Sequence, residues 1–141
     1  MILEFVVPGE PVGKGRPRTT VRSGFAREYT PAKTRNYENL IKLAFQQAYP
    51  GHEPFPKGTP IKIEMAAYFS IPESWSIKKK KLALAGYIRP TKKPDTDNIS
   101  KIKDALNGIA WYDDAQVVED TIKKYYSDRP KLGIRIEVWK P

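Results

Sequence analysis

Between Tyr37 and Tyr49 the apolar residues Tyr37, Leu40, Ile41, Ala44, Phe45, Ala48 and Tyr49 recur at i, i+3, i+4, i+7, i+8, i+11 and i+12. An α-helix gathers residues at that spacing into one stripe, while Lys33, Arg35, Glu38 and Lys42 fall off it or at its edge. The spacing predicts a helix with Thr30 as N-cap, Pro31 at its first position and Pro50-Gly51 beyond its end. Such a stripe must be buried against another apolar surface. Three segments can supply it. Residues 2–7 alternate up to Pro8, Ile61, Ile63 and Met65 alternate with polar neighbours in a strand reaching about Ile71, and Leu132, Ile134, Ile136 and Val138 alternate near the end.

Two further helices are expected, Ser76 to Ala85 with Gly86 as its stop, and Asp95 to Ile109 with Ile99, Ile102, Leu106 and Ile109 on one face. Val117 to Tyr126 reads as another strand. Residues 8–30, rich in Gly, Pro and Arg, read as a loop or loose hairpin. The order β, α, β, α, α, β, β describes one small α+β domain over residues 1–141, with a mixed sheet and flanking helices.

With 25 Lys and Arg against 16 Asp and Glu, the net charge is +9. A chain this basic favours polyanions, because neutralising phosphates releases their condensed counterions. The absence of cysteine removes disulfides, thiolate nucleophiles and cysteine-held zinc. The N-terminus does not have the pattern of a signal peptide, and no apolar run approaches the length of a membrane span. A soluble, cytoplasmic protein without a membrane partner is the expectation.

The densest chemistry lies in Lys93-Pro94-Asp95-Thr96-Asp97-Asn98-Ile99-Ser100-Lys101, where two aspartates stand at a helix start. Aspartates there can simply complement the helix dipole. Lys101 lies four residues beyond Asp97 and so on the same helical face, and Asp113-Asp114 supplies a second acidic pair downstream. Carboxylates without histidine or cysteine suit Mg²⁺, with Mn²⁺ as a substitute. Such an ion activates water and neutralises charge on a cleaved phosphate, while Lys101 could steady the transition state or help protonate the leaving oxygen. Other motifs fail. As a calcium loop, Asp95-Thr96-Asp97 would be followed by Ile99, Ser100 and Leu106 where a ligand, a glycine and a glutamate belong. Gly9 to Gly15 has three residues between its first glycines and no Ser or Thr to hold magnesium, so no nucleotide cofactor is expected. His52, the single histidine, reads as a surface-loop residue.

The run Asp95-Thr96-Asp97-Asn98-Ile99-Ser100-Lys101, followed by Asp104-Ala105-Leu106-Asn107-Gly108 and Asp113-Asp114-Ala115-Gln116, resembles the RusA family of phage and prophage Holliday junction resolvases. Pro8-Gly9-Glu10-Pro11, Gly15-Arg16-Pro17-Arg18 and Tyr29-Thr30-Pro31 extend the resemblance over nearly the whole chain. The resemblance implies a homodimeric, magnesium-dependent endonuclease that nicks two strands of a four-way DNA junction in recombination and repair. It implies that Asp95, Asp97 and Asp114 hold the metal and that Lys101 is the catalytic lysine. Two residues separate Lys101 from Asp104 where the family pattern has three, a deletion that rotates the downstream residues by about 100° on an α-helix. On a continuous helix Asp104 then falls near the Asp97 and Lys101 face, where an ion pair on the helix surface is expected.

Within that resemblance Lys14, Arg16, Arg18, Arg22 and Arg27 form a positive surface that holds junction arms by their phosphates. Phosphate contacts fix position without reading bases, so they imply no cleavage sequence. The alternatives are a non-catalytic DNA-binding protein, its aspartates serving as helix caps, and a magnesium nuclease that prefers flaps or forks.

Overall fold

The computed structural model describes every residue except Ser23, with the side chains of Arg18, Arg22 and Glu28 also outside the description. Six strands are present: β1 (Ile2–Pro8), β2 (Arg18–Arg22), β3 (Phe25–Tyr29), β4 (Ile61–Ser70), β5 (Val117–Ser127) and β6 (Lys131–Val138). The helices are α1 (Ala32–Ala48), α2 (Ile77–Leu84) and α3 (Thr96–Lys101), the last running straight into a 3-10 turn at Ile102–Leu106. The main sheet has the order β1-β6-β4-β5, with β6 antiparallel to both neighbours and β4 parallel to β5. The expected α+β domain with a mixed sheet is therefore present. The basic segment after Pro8 contains a separate hairpin, β2 paired with β3.

The alternation of strand residues decides which face is covered. Leu3, Phe5 and Val7 of β1, Ile61, Ile63, Met65 and Ala67 of β4, and Leu132, Ile134 and Ile136 of β6 are all buried. They meet Tyr37, Ile41 and Phe45 of α1 and Ile99, Ile102, Leu106 and Trp111 from the chain between β4 and β5. The other face keeps Glu4, Val6, Arg135 and Thr121 exposed, because strand side chains point alternately to opposite sides. Helices and the acidic segments thus share one side of the sheet.

Two local expectations are corrected. Pro31, with φ −54° and ψ 143°, is itself the N-cap of α1, so the helix begins one residue later and Thr30 does not cap it. Asp95 to Ile109 is not one α-helix, because the chain tightens to 3-10 geometry after Lys101. A 3-10 helix rises about 2.0 Å per residue against about 1.5 Å, so it spans a given length with fewer residues.

Trp111 is wholly buried, and its indole N–H donates to the Asn107 side chain at 2.7 Å, two residues before the second acidic pair. Trp111→Ala should lower unfolding stability by about 3–5 kcal/mol in urea titration. A loss below about 1 kcal/mol would show that the indole does not anchor this segment.

Candidate active site

Asp95 is the N-cap of α3, with extended backbone, and its carboxylate accepts a 2.8 Å hydrogen bond from the Asn98 N–H. Capping engages one oxygen, and a carboxylate has lone pairs to spare for other partners. Asp97 and Lys101 do share a helical face, with Lys101 Nζ 3.1 Å from the Asp97 carboxylate. Both side chains are more than half exposed, so this pair contributes little to stability. It leaves a carboxylate and an ammonium together at the surface.

Asp113 and Asp114 lie in the turn between Trp111 and β5. Gln116 fixes that turn. Its side-chain oxygen accepts from the N–H groups of Tyr112 and Asp113 at 2.9 and 3.2 Å, and its amide donates to the carbonyls of Pro56 and Thr59.

Asp104 forms an ion pair, as expected, with Lys14 as its partner. Its carboxylate accepts from Lys14 Nζ at 3.0 Å and lies in hydrogen-bond contact with Asp114. Burial pushes the Asp104 pKa up, but the hydrogen bonds from Asp114 and Lys14 and the charges of Lys14 and Lys103 outweigh it, so the net shift is downward. Asp114 takes the opposite shift, to about 6. Its hydrogen bond with Asp104 is the largest cause, followed by that with Asp113, burial and the two negative charges. One proton is shared between neighbouring carboxylates that repel each other when both are charged.

Asp95, Asp97 and Asp114 do not converge as they stand: among the described residues no three acidic or histidine side chains are grouped so as to hold a metal ion. The donor chemistry nevertheless fits Mg²⁺, since every candidate ligand is a carboxylate and the Asp104–Asp114 contact is one that a divalent cation would relieve. His52 takes no part. Its ring stands edge-on to Phe45 and Phe55 at 5.4 and 5.1 Å, wedged in the turn after α1.

Sequence reasoning missed a second carboxylate contact with α3. Ser100 Oγ donates to Asp120 of β5, and Lys103 Nζ reaches both groups at 2.9 and 3.2 Å, pinning the end of α3 to the sheet. Asp120 is remote in sequence and on a strand, so no local spacing signals it. The expected DNA-gripping residues divide into groups. Arg16 and Arg27 are exposed, the side chains of Arg18 and Arg22 lie outside the described residues, and Lys14 points to Asp104. A cleft of about 570 Å³ opens between the basic loop and the start of α3, lined by Arg16, Lys33, Lys93, Pro94 and Asn98 among others. Lys33 and Lys93, which earned no role from the sequence, thus line the same cleft as Pro94, the residue before Asp95.

Residues 8–137 match the family described as Endodeoxyribonuclease RusA. The chain belongs to that family. Its RusA-type sequence is also 39% identical over 137 residues to the uncharacterised protein YqaN of Bacillus subtilis (strain 168), covering 95% of this chain and 94% of that one. RusA membership implies endodeoxyribonuclease activity. No helix among the described residues is long and apolar enough to cross a membrane.

The Asp114 shift has a defined consequence in metal-free protein. A carboxylate whose pKa is raised by folding adds stability below its unfolded value, 3.8, and loses that contribution as pH rises through about 6. Asp114→Asn should therefore melt higher than the parent at pH 7 in EDTA, with the difference shrinking towards pH 4. A difference independent of pH would show that Asp114 is not held against Asp104.

Proposed function

We propose that this chain is a magnesium-dependent, structure-selective endonuclease that nicks four-way DNA junctions. The observation that carries this reading is a cationic cleft beside the helix start that carries Asp95 and Asp97. Arg16, Lys33 and Lys93 line a cleft whose floor includes Pro94 and Asn98, either side of the residues that present Asp95 and Asp97. A phosphate held in that cleft lies beside the acids that must act on it. Asp95, Asp97 and Asp114 would hold the metal. Mg²⁺ or Mn²⁺ bound there would supply an activated water and charge neutralisation at the scissile phosphate.

The protein's own groups do the rest. Lys101, beside Asp97, is placed to offset negative charge on the reacting phosphate or protonate the leaving oxygen. Arg16 and Arg27, with Arg18 and Arg22 on the hairpin, hold the DNA by its phosphates without reading sequence. Paired nicks call for paired sites, and a two-fold homodimer supplies them. The bare sheet face supports this part of the reading. It carries a groove of about 440 Å³ floored by Ala66 and Gly133 and bordered by Glu4, Glu64, Lys123 and Arg135, a mixture of charges that can complement itself across a two-fold axis. Recombination and repair in the cytoplasm, in a prophage setting, is the biological role this activity fits.

Asp97→Asn separates chemistry from binding. Junction nicking should fall below detection, while junction affinity in gel shift stays the same or improves, because one negative charge facing phosphate is gone. If affinity collapses together with cleavage, Asp97 is a structural residue of the helix start and the catalytic assignment fails. Faster nicking of flaps or forks than of junctions would keep the metal site and replace the substrate.

A further inference from the structure

The loop Gly13-Lys14-Gly15 is built into the molecule more tightly than a phosphate-gripping loop needs to be. A Cβ on Gly13 would stand 2.7 Å from the Pro94 Cβ, closer than real side chains approach, and a tight 3.0 Å from the Asn98 Cβ. The Lys14 N–H donates to the Asn98 carbonyl at 2.8 Å, in the first turn of α3. The Gly15 N–H donates at 3.0 Å to the hydroxyl of Thr34, which is buried in α1. Three successive residues thus tie α1 to the segment that presents Asp95 and Asp97.

The Lys14 side chain continues the same connection. Its ammonium lies 3.0 Å from the Asp104 carboxylate and 3.8 Å from Glu38 of α1, and only about a quarter of the side chain is exposed. Asp104 in turn touches Asp114. A cation engaged by two carboxylates is poorly placed to neutralise a DNA phosphate as well, whereas it is well placed to keep Asp104 where it orients Asp114.

On the basis of the nuclease function proposed for this site, we propose that Lys14 is a positioning residue of the active site, acting through Asp104 on Asp114, and not one of the residues that grip DNA. Groups one step removed from a metal centre fix its ligands, and their loss lowers activity by about ten- to a hundredfold. Gly13 and Gly15 belong to the same device, since they let the loop backbone come against α3 and α1.

The test compares Lys14→Met, Lys14→Arg, Asp104→Asn and the double variant Lys14→Met/Asp104→Asn. Single-turnover nicking of a four-way junction should fall about ten- to a hundredfold in Lys14→Met, recover in part in Lys14→Arg, and fall no further in the double variant than in Asp104→Asn alone. Metal-free junction binding should keep the parent's slope of log K against log salt. Urea unfolding in EDTA should show the same non-additivity between positions 14 and 104. A slope shallower by about one, with nicking intact, would make Lys14 a phosphate contact and overturn the proposal. Additive losses would overturn it as well, by showing that Lys14 and Asp104 act independently. Should the parent itself fail to nick, the nuclease reading falls, and the salt slope and unfolding cycle still decide where Lys14 acts.

Discussion

The burial of Ile99, Ile102, Leu106 and Trp111 against the apolar face of the sheet holds the acidic segments in place. Each is essentially inaccessible to water, and burying a side chain of this size contributes about 1.5–3 kcal/mol. Carboxylates gathered near one another repel, and the hairpin and loops around them carry mostly charged and polar residues. The hydrophobic contact beneath α3 and the 3-10 turn is what offsets that repulsion. Because β1, β6 and β4 each turn their alternate apolar residues to the same side, α1, α3 and the acidic turn are gathered on that side too.

On this platform the charges are arranged as opposed pairs. Lys101 faces Asp97, Lys14 faces Asp104, and Lys103 faces Asp120. Asp114 stands apart from this pattern, since the groups that shift it are carboxylates, and its pKa rises to about 6. A carboxylate raised by its neighbours is the kind of perturbation that marks functional sites. Here the RusA family membership and the basic cleft point the same way.

The elements with a strong period were legible. The stripe from Tyr37 to Tyr49 and the alternation in β4 and β6 can be read from spacing alone, because 3.6- and 2-residue periods sort side chains onto faces. Asp95 as a helix cap and the Asp97–Lys101 pair were equally readable, being local contacts. The switch to 3-10 geometry at Ile102 was not. Ile99, Ile102, Leu106 and Ile109 satisfy an α-helical period, and the tightening reflects tertiary packing that no local propensity encodes. The inward turn of Lys14 and the contact of Asp120 with Ser100 escaped for a related reason: each joins residues far apart in the chain, and a basic or acidic side chain looks the same in sequence whether it meets phosphate, water or an ion-pair partner.

If the carboxylates and the cationic cleft make one metal-dependent centre for branched DNA, cleavage must depend on both the metal and the shape of the substrate. The most direct measurement is nicking of an end-labelled four-way junction beside a linear duplex of the same arm sequence, in Mg²⁺, in Ca²⁺ and in excess EDTA. The expected result is symmetrically placed nicks in the junction with Mg²⁺, binding without cleavage with Ca²⁺, and neither product from the duplex nor any cutting in EDTA. Undiminished cleavage in EDTA, or equal cutting of junction and duplex, would contradict a single metal-dependent, junction-selective centre.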